Sequence, residues 1–274
     1  MSGIGGAVYF FAKGFGFKPF RGLLCTRMPA AKQRLDQLLV ARGYFESREK
    51  AQRAIMAGSV SLGEQCADKP GTRVPEDAAI TVKGTERYVG RGGLKLEAAL
   101  ASFGIDPTGA ICLDIGASTG GFTDCLLQHG AAKVFAIDVG HSQLDWKIRS
   151  DPRVAVHEKL NARHLTREDI PDAIAVCVID VSFISLTLIL PPAVALLSNG
   201  GVIVPLIKPQ FELRKADVGR GGVVRDPALH AQAVEKIRAF TTTLPGVTWA
   251  GLIESPILGG EGNKEFLACL RASA

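Results

Sequence analysis

The sequence contains no Cys-x-x-Cys pair, no histidines at metal-ligand spacing, no secretory signal and no surplus of charge outside its first 34 residues. Each absence removes a class of function. The six cysteines at 25, 66, 112, 125, 177 and 269 are scattered, which argues against a disulfide framework or a metal site and for a reduced, cytoplasmic setting. Cys112 and Cys177 sit inside apolar runs and read as small core residues. The apolar tract around 184–197 makes a poor membrane span, because Asp180 and Pro191-Pro192 interrupt it and Asn199-Gly200-Gly201 ends it. No stable membrane association is therefore expected. Residues 1–27 are rich in glycine and phenylalanine, but scattered cations break any apolar core, so they fail as a signal peptide. The segment 1–31 reads as a disordered tail, or as sequence ahead of a natural start at Met28. Residues 1–34 hold six Lys/Arg and no acid, which leaves 26 basic against 27 acidic groups in the rest. The net charge of +5 thus gives no argument for nucleic acid, and any such case must rest on local patches.

What is present is a chain of 274 residues, 47% hydrophobic and 22% charged, long enough for one large domain or a small one plus a medium one. It is organised around Ile111-Cys-Leu-Asp-Ile-Gly-Ala-Ser-Thr-Gly-Gly-Phe122. An apolar run ends in Asp114, and a glycine-rich turn leads into a helical pattern. Backbone N–H groups at such a helix start hold ligands readily. A second apolar run ends in Asp138, placed as an acid that takes ribose hydroxyls at the tip of the next strand. The spacing Gly116-x-x-x-Gly120-Gly121 is neither the dinucleotide Gly-x-Gly-x-x-Gly nor a phosphate loop ending in Lys-Ser/Thr. Asp114-x-Gly-x-x-x-Gly-Gly with the later Asp138 points instead to an S-adenosylmethionine (SAM) pocket. The plain alternative is a strand–turn–helix packing junction.

Residues 32–84 form a small basic module. Leu35, Leu38 and Leu39 recur at helical spacing between Arg34 and Arg42. Ser47 caps a second helix, 48–57, that Gly58 ends. Val60 and Leu62 alternate, and 79–82 reads as a further short strand. Arg34, Arg42, Arg48, Lys50, Arg53 and Lys69 supply positive charge, interleaved with Asp36, Glu46 and Glu49, so a merely solvated face is the bland alternative. After a linker at 85–88, apolar runs alternate with helical patterns through 89–274. Strands are expected at 111–115, 133–137, 153–157, 174–180, 201–207, 247–253 and 264–270, and helices at 120–129, 142–149, 185–197 and 228–243. A further amphipathic helix carries Leu96, Ala99, Leu100 and Phe103. The alternation predicts a doubly wound α/β domain with a parallel sheet, whose ligands belong at the carboxyl ends of the strands. Asp114, Asp138, Asp180 and Lys208 fall there. Lys95, Asp180, Lys208 and Glu265 are charges where a sheet core should be apolar. Lone strand-end charges usually sit in solvent, yet Pro209 and six mostly apolar preceding residues place Lys208 at the ligand edge. A lysine made ready to give up its own proton suits methyl transfer to a hydroxyl, a reaction whose hard step is activating and aligning a weakly acidic alcohol.

Two resemblances sharpen this reading. Arg34-Leu-Asp-x-Leu-Leu followed by Ser47-Arg-x-x-Ala-x-x-x-Ile-x-x-Gly-x-Val resembles the S4 RNA-binding module, which implies that the two-helix face docks structured RNA by phosphates and shape. Across 32–270, Val89-x-Arg-Gly-Gly-Leu-Lys-Leu, Asp114-Ile-Gly-Ala-Ser-Thr-Gly-Gly-Phe-Thr-Asp, Asp180-Val-Ser-Phe-Ile-Ser-Leu, Lys208-Pro-Gln-Phe-Glu and Gly262-Asn-x-Glu265 resemble the TlyA family. Those proteins are rRNA cytidine 2′-O-methyltransferases, historically called haemolysins, with an S4 module ahead of a Rossmann-like, FtsJ-type domain. The resemblance implies a Lys95, Asp180, Lys208 and Glu265 tetrad, with Lys208 as base and the two carboxylates positioning the lysines. It implies SAM as cofactor, held by Asp114, Gly116, Ala117, Ser118, Thr119, Gly120, Gly121, Phe122, Asp138, Asn161 and Asp180. Gly116–Gly121 would cradle the methionine part, Asp138 the ribose, and Asn161 would lie near the adenine. Ribosomal RNA, or a ribosomal subunit, is the implied partner, gripped by the S4 residues Arg34, Arg42, Ser47, Arg48, Lys50, Arg53 and Lys69. The loop carrying Arg214, Lys215 and Arg220 reads as an RNA clamp or as a plain surface loop. Gly90 departs from the expected Ser, and Glu261 from Pro or Lys. The chain ends four residues after Leu270, which by the resemblance favours the shorter branch acting on 23S rRNA. Two alternatives stay open: a membrane-acting cytolysin, and an assembly factor that holds SAM and RNA without catalysis.

Overall fold

The computed structural model describes residues 32–45, 47–63, 65–82 and 87–273. The expected N-terminal tail, Glu46 and residues 85 and 86 of the expected linker lie outside the described residues. Two compact units divide after residue 84.

In the first unit, β1 (Lys32–Arg34) leads directly into α1 (Leu35–Ala41), followed by α2 (Arg48–Met56), β2 (Val60–Leu62), β3 (Gln65–Cys66), β4 (Arg73–Pro75) and β5 (Ile80–Val82). Leu35, Leu38 and Leu39 of α1 pack with Ala51 and Ile55 of α2 over Val60, Val74 and Val82. The helix expected from Arg34 starts one residue later, because 32–34 pair antiparallel with 73–75. That three-residue pairing is too short to leave a periodic signal. Asp36 is completely buried in α1, and its carboxylate accepts from Arg34, Arg48 and Gln52 at 2.8–3.0 Å. The Arg34 guanidinium, helped by Gln52 and Arg48, holds this carboxyl well below the usual range despite its burial.

The second unit runs α3 (Gly92–Phe103), β6 (Ile111–Ile115), α4 (Gly121–Gln128), β7 (Lys133–Asp138), α5 (Trp146–Arg149), β8 (Val154–Glu158), β9 (Ile174–Ile179), α6 (Leu190–Ala195), β10 (Leu197–Ile207), α7 (Pro209–Glu212), α8 (Pro227–Thr241), β11 (Val247–Glu254) and β12 (Phe266–Ala272). Its seven strands lie in the order β11-β12-β10-β9-β6-β7-β8. Six run parallel, and β12 is inserted antiparallel between β10 and β11. Alternate residues of the central strands feed two apolar layers: Cys112, Val134 and Val176 on one face, Leu113, Phe135 and Cys177 on the other. This is why those strands are apolar on both sides.

Two expected helices are shorter than their patterns. Residues 142–145 are not helical: Ser142 adopts a left-handed backbone (φ 57°) and donates its N–H to Glu158, and Asp145 then caps α5. The tract 185–197 breaks into a 3₁₀ turn at Leu186–Leu188 and the short α6, with proline in its first turn. Leu197 already belongs to β10. Proline has no N–H to give, so it opens a helix and does not continue one.

Candidate active site

The chain order winds from β6 through β7 to β8 in one direction, then returns to place β9 on the other side of β6. At this switch a groove opens over the carboxyl ends of the strands. The tips are stitched from beneath. Gly116 and Ala117 both donate to the Ile137 carbonyl, and Asp180 donates to that of Ile115.

One half of the groove is walled by the 116–122 turn, Gly92, Asp180, Ser182 and Lys208. The other half is bounded by Asp138, Asn161 and Phe183 and floored by Val181, Ile184 and Ile189. Gly116, Ser118, Asp180 and Ser182 belong to both halves, so the groove is continuous, polar at one end and partly apolar at the other. Gly116 (φ 88°) and Gly120 (φ 98°) give the turn its left-handed corners. Gly120 also N-caps α4 with no side-chain cap, and the amides at such a helix start suit an anionic ligand.

The expected cofactor residues divide by depth. Gly116, Ala117, Ser118, Thr119, Gly121, Phe122, Asp138, Asn161 and Asp180 line the groove, whereas Asp114 and Gly120 stand behind its wall. Both Asp138 oxygens already accept amides, from Ser118 at 2.8 Å and Gly140 at 2.6 Å. These bonds fix the carboxylate's orientation while leaving lone pairs free, since each oxygen can accept more than once. Asn161 accepts from the Arg163 amide at 3.1 Å. Asp114 is fully buried: one oxygen accepts from Thr123 Oγ1 at 2.6 Å and the other has no partner. Burial pushes its carboxyl up to about 7; the Thr123 hydrogen bond opposes this and the nearby Asp180 charge adds to it.

A pH dependence follows from Asp114. Its folded value lies above the ordinary unfolded one near 4, so its contribution to stability is complete below about pH 4 and is lost as the pH rises through about 7. Between pH 5 and 8 the loss is on the order of 3 kcal/mol. Urea unfolding at the two pH values should show Asp114→Asn falling less than the wild type. Equal falls would refute this assignment.

The four expected catalytic residues form two ion pairs. Lys208 Nζ stands 2.6 Å from Asp180 Oδ1, at angles short of a hydrogen bond, and donates to Ser182 Oγ at 2.9 Å. Its side chain is only 11% exposed and passes over the Phe211 ring. Lys95 comes from α3 and Glu265 from the segment before β12; they meet at 2.5 Å, both buried. Removing one member of such a pair leaves an uncompensated charge, at a cost of about 3–5 kcal/mol. Lys208 and Asp180 line the groove, and the Lys95–Glu265 pair does not.

Of the expected RNA-binding residues, Arg34 and Arg48 are both tied to Asp36, and Arg42 donates to the carbonyls of Glu76 and Ala78. Ser47 caps α2, accepting from the Lys50 amide; Arg53 lies on the same helix and Lys69 in the loop before β4, both exposed. Arg214 pairs with Asp217, Lys215 is exposed beside it, and the Arg220 side chain is not among those described. Ser182 and Phe183 were not singled out from the sequence. Their signal was present in the quoted Asp180-Val-Ser-Phe, but neither residue carries a charge that would draw attention to it.

A model of the FtsJ-like methyltransferase family matches residues 88–272, and a model of the S4 domain matches residues 33–80. The chain is 47% identical to the 16S/23S rRNA (cytidine-2′-O)-methyltransferase TlyA of Mycobacterium tuberculosis, over 88% of this chain and 91% of that one. It is 51% identical to YqxC, a candidate rRNA methyltransferase of Bacillus subtilis, over 88% and 86% of the two chains. The solved structure of a candidate hemolysin from Streptococcus thermophilus matches with a TM-score of 0.68 at 46% identity, covering 88% of this chain and 89% of that one. The chain therefore belongs to the FtsJ-like methyltransferase family, carries an S4 domain in front of it, and within the family stands with the TlyA proteins.

Proposed function

We propose that the protein transfers a methyl group from SAM to the ribose 2′-OH of a cytidine in ribosomal RNA, with 23S rRNA the first candidate substrate and 16S rRNA the second. The observation that carries this reading is the Lys208–Asp180 pair, set into the groove beside the glycine turn. A protein that only held cofactor and RNA would have no need of a nearly buried lysine there.

The groove suits SAM on three counts. Two carboxylates, Asp138 and Asp180, line it, with Asp114 behind, and they favour a cationic ligand. The uncapped start of α4 suits the cofactor's carboxylate. The apolar floor of Val181, Ile184 and Ile189 suits a flat base. When bound, SAM supplies an electrophilic sulfonium methyl.

The chain's own residues then have the harder task. Lys208 Nζ, neutral, accepts the proton of the 2′-OH while that oxygen takes the methyl. Asp180 holds the Lys208 side chain in place. The Lys95–Glu265 pair, packed between α3 and the segment before β12, holds those two elements together. Phe183 is 91% exposed, with a left-handed backbone (φ 64°) and its ring tilted against Phe211 at 5.0 Å. An exposed ring at the groove rim gives a base drawn out of its helix a surface to stack on. The S4 unit would grip the RNA through the exposed edges of Arg34, Arg48 and Arg53. Among the described residues, no helix is long and apolar enough to cross a membrane, and nothing in the groove calls for a cytolysin.

The test is tritiated SAM with ribosomal subunits and naked rRNA, followed by nuclease mapping of the label. Label on a cytidine 2′-oxygen is expected. No label on any RNA would sink the reading.

A further inference from the structure

Lys208 acts as a base only if its lone pair, and not an N–H, faces the substrate hydroxyl. A free lysine side chain does not guarantee this, because its terminal bond rotates. Here two acceptors occupy positions around the nitrogen. Asp180 Oδ1 stands 2.6 Å away, and Ser182 Oγ accepts a hydrogen bond of 2.9 Å. We propose that Ser182 is a positioning residue for proton abstraction: its hydroxyl takes one N–H of Lys208 and fixes the rotation of the terminal bond, while the Asp180 charge, without a hydrogen bond, draws the other N–H to its side, so that the lone pair is turned to the ribose hydroxyl. This rests on the reading of Lys208 as the base.

Two features support the assignment. The first is charge. A carboxylate in place of Ser182 would also orient the amine, but it would favour the protonated form that cannot act as a base; a hydroxyl orients it without adding a charge. The second is rigidity. Ser182 and Lys208 come from different loops, after β9 and β10, and those loops are clamped together by Glu212. This buried residue of α7 accepts from Ser185 Oγ at 2.6 Å, from the Leu186 amide at 2.8 Å and from Lys236 Nζ at 2.9 Å. The loop carrying Ser182 is thereby pinned to the helix that starts directly after Lys208. In the reaction the O–H bond of the ribose breaks, an N–H bond forms on Lys208, and the methyl passes to the oxygen as its bond to the sulfonium sulfur breaks, that electron pair staying on sulfur as a neutral thioether. Ser182 neither gains nor loses a proton.

The experiment compares full-length wild type, Ser182→Ala and Ser182→Thr in methyl transfer to ribosomal subunits, with SAM affinity measured by calorimetry. Ser182→Ala is expected to lower kcat by roughly 10- to 100-fold, with KM for RNA and Kd for SAM within about twofold of wild type. Ser182→Thr keeps the hydroxyl and should return kcat to within about threefold. Wild-type kcat in Ser182→Ala, a loss confined to KM, or a threonine variant as impaired as the alanine one would each overturn the assignment alone. Absence of transfer by the wild type would overturn the functional reading, and the assignment with it.

Discussion

Lys208→Ala and Lys208→Arg are both expected to lose methyl transfer by about 10³-fold while binding SAM within a few-fold of wild type. The two substitutions separate two roles. Alanine removes charge and base together. Arginine keeps a cation beside Asp180 but remains protonated at any working pH, so it cannot take the ribose proton. If Lys208 served only to neutralise Asp180 or to attract RNA, arginine would retain most of the activity. The check is a single-turnover rate with saturating RNA and SAM, which removes binding from the comparison. Arginine retaining more than a tenth of the wild-type rate would leave the base to be sought elsewhere.

Gly116→Ala is the second large expected effect, and it acts on the scaffold of the groove. A Cβ at this position would lie 2.3 Å from the Asp180 carbonyl oxygen, and the backbone is left-handed at φ 88°. The obstructing atom is main chain, and it cannot rotate away as a side-chain tip could. Asp180 donates its own amide to Ile115, so relief requires the ends of β6 and β9 to part, which moves Asp180 away from Lys208. The backbone strain alone costs about 1–2 kcal/mol, and the displaced strand ends should bring the total to roughly 3 kcal/mol. SAM affinity should fall at least about 100-fold, equivalent to roughly 2.7 kcal/mol. Gly260→Ala is the control, because a Cβ there meets nothing within 4 Å. Calorimetric SAM titration and thermal unfolding of both variants check the pair. Unchanged affinity in Gly116→Ala would show that the turn does not hold the cofactor.

The same atom-level contacts explain what could be read in advance and what could not. The central strands announce themselves in sequence, because residues 112–115, 134–137 and 176–179 are buried on both faces and so lack polar alternation. Asp114, Asp138, Asp180 and Lys208 stand out for the same reason, as charges ending apolar runs. Strands of two or three residues, such as β1 and β3, have no period to detect. The helical patterns at 142–149 and 185–197 fail where Ser142 and the Pro191-Pro192 pair divert the backbone. The basic face of the S4 unit was legible as composition, but the partner of each cation was not. Arg34 and Arg48 converge on the buried Asp36, and only packing could decide that.

By itself, then, the sequence determined the order along the chain of the large sheet's strands, the glycine turn and which charges would stand at the strand ends, since burial leaves its mark on local composition. Only the tertiary structure decided how those charges pair, Lys208 with Asp180 and Lys95 with Glu265 across 170 residues, because such contacts depend on strand order and loop register, which no local pattern encodes. It also set Asp114 behind the groove wall and brought the uncharged Ser182 against Lys208, a contact made by distance alone.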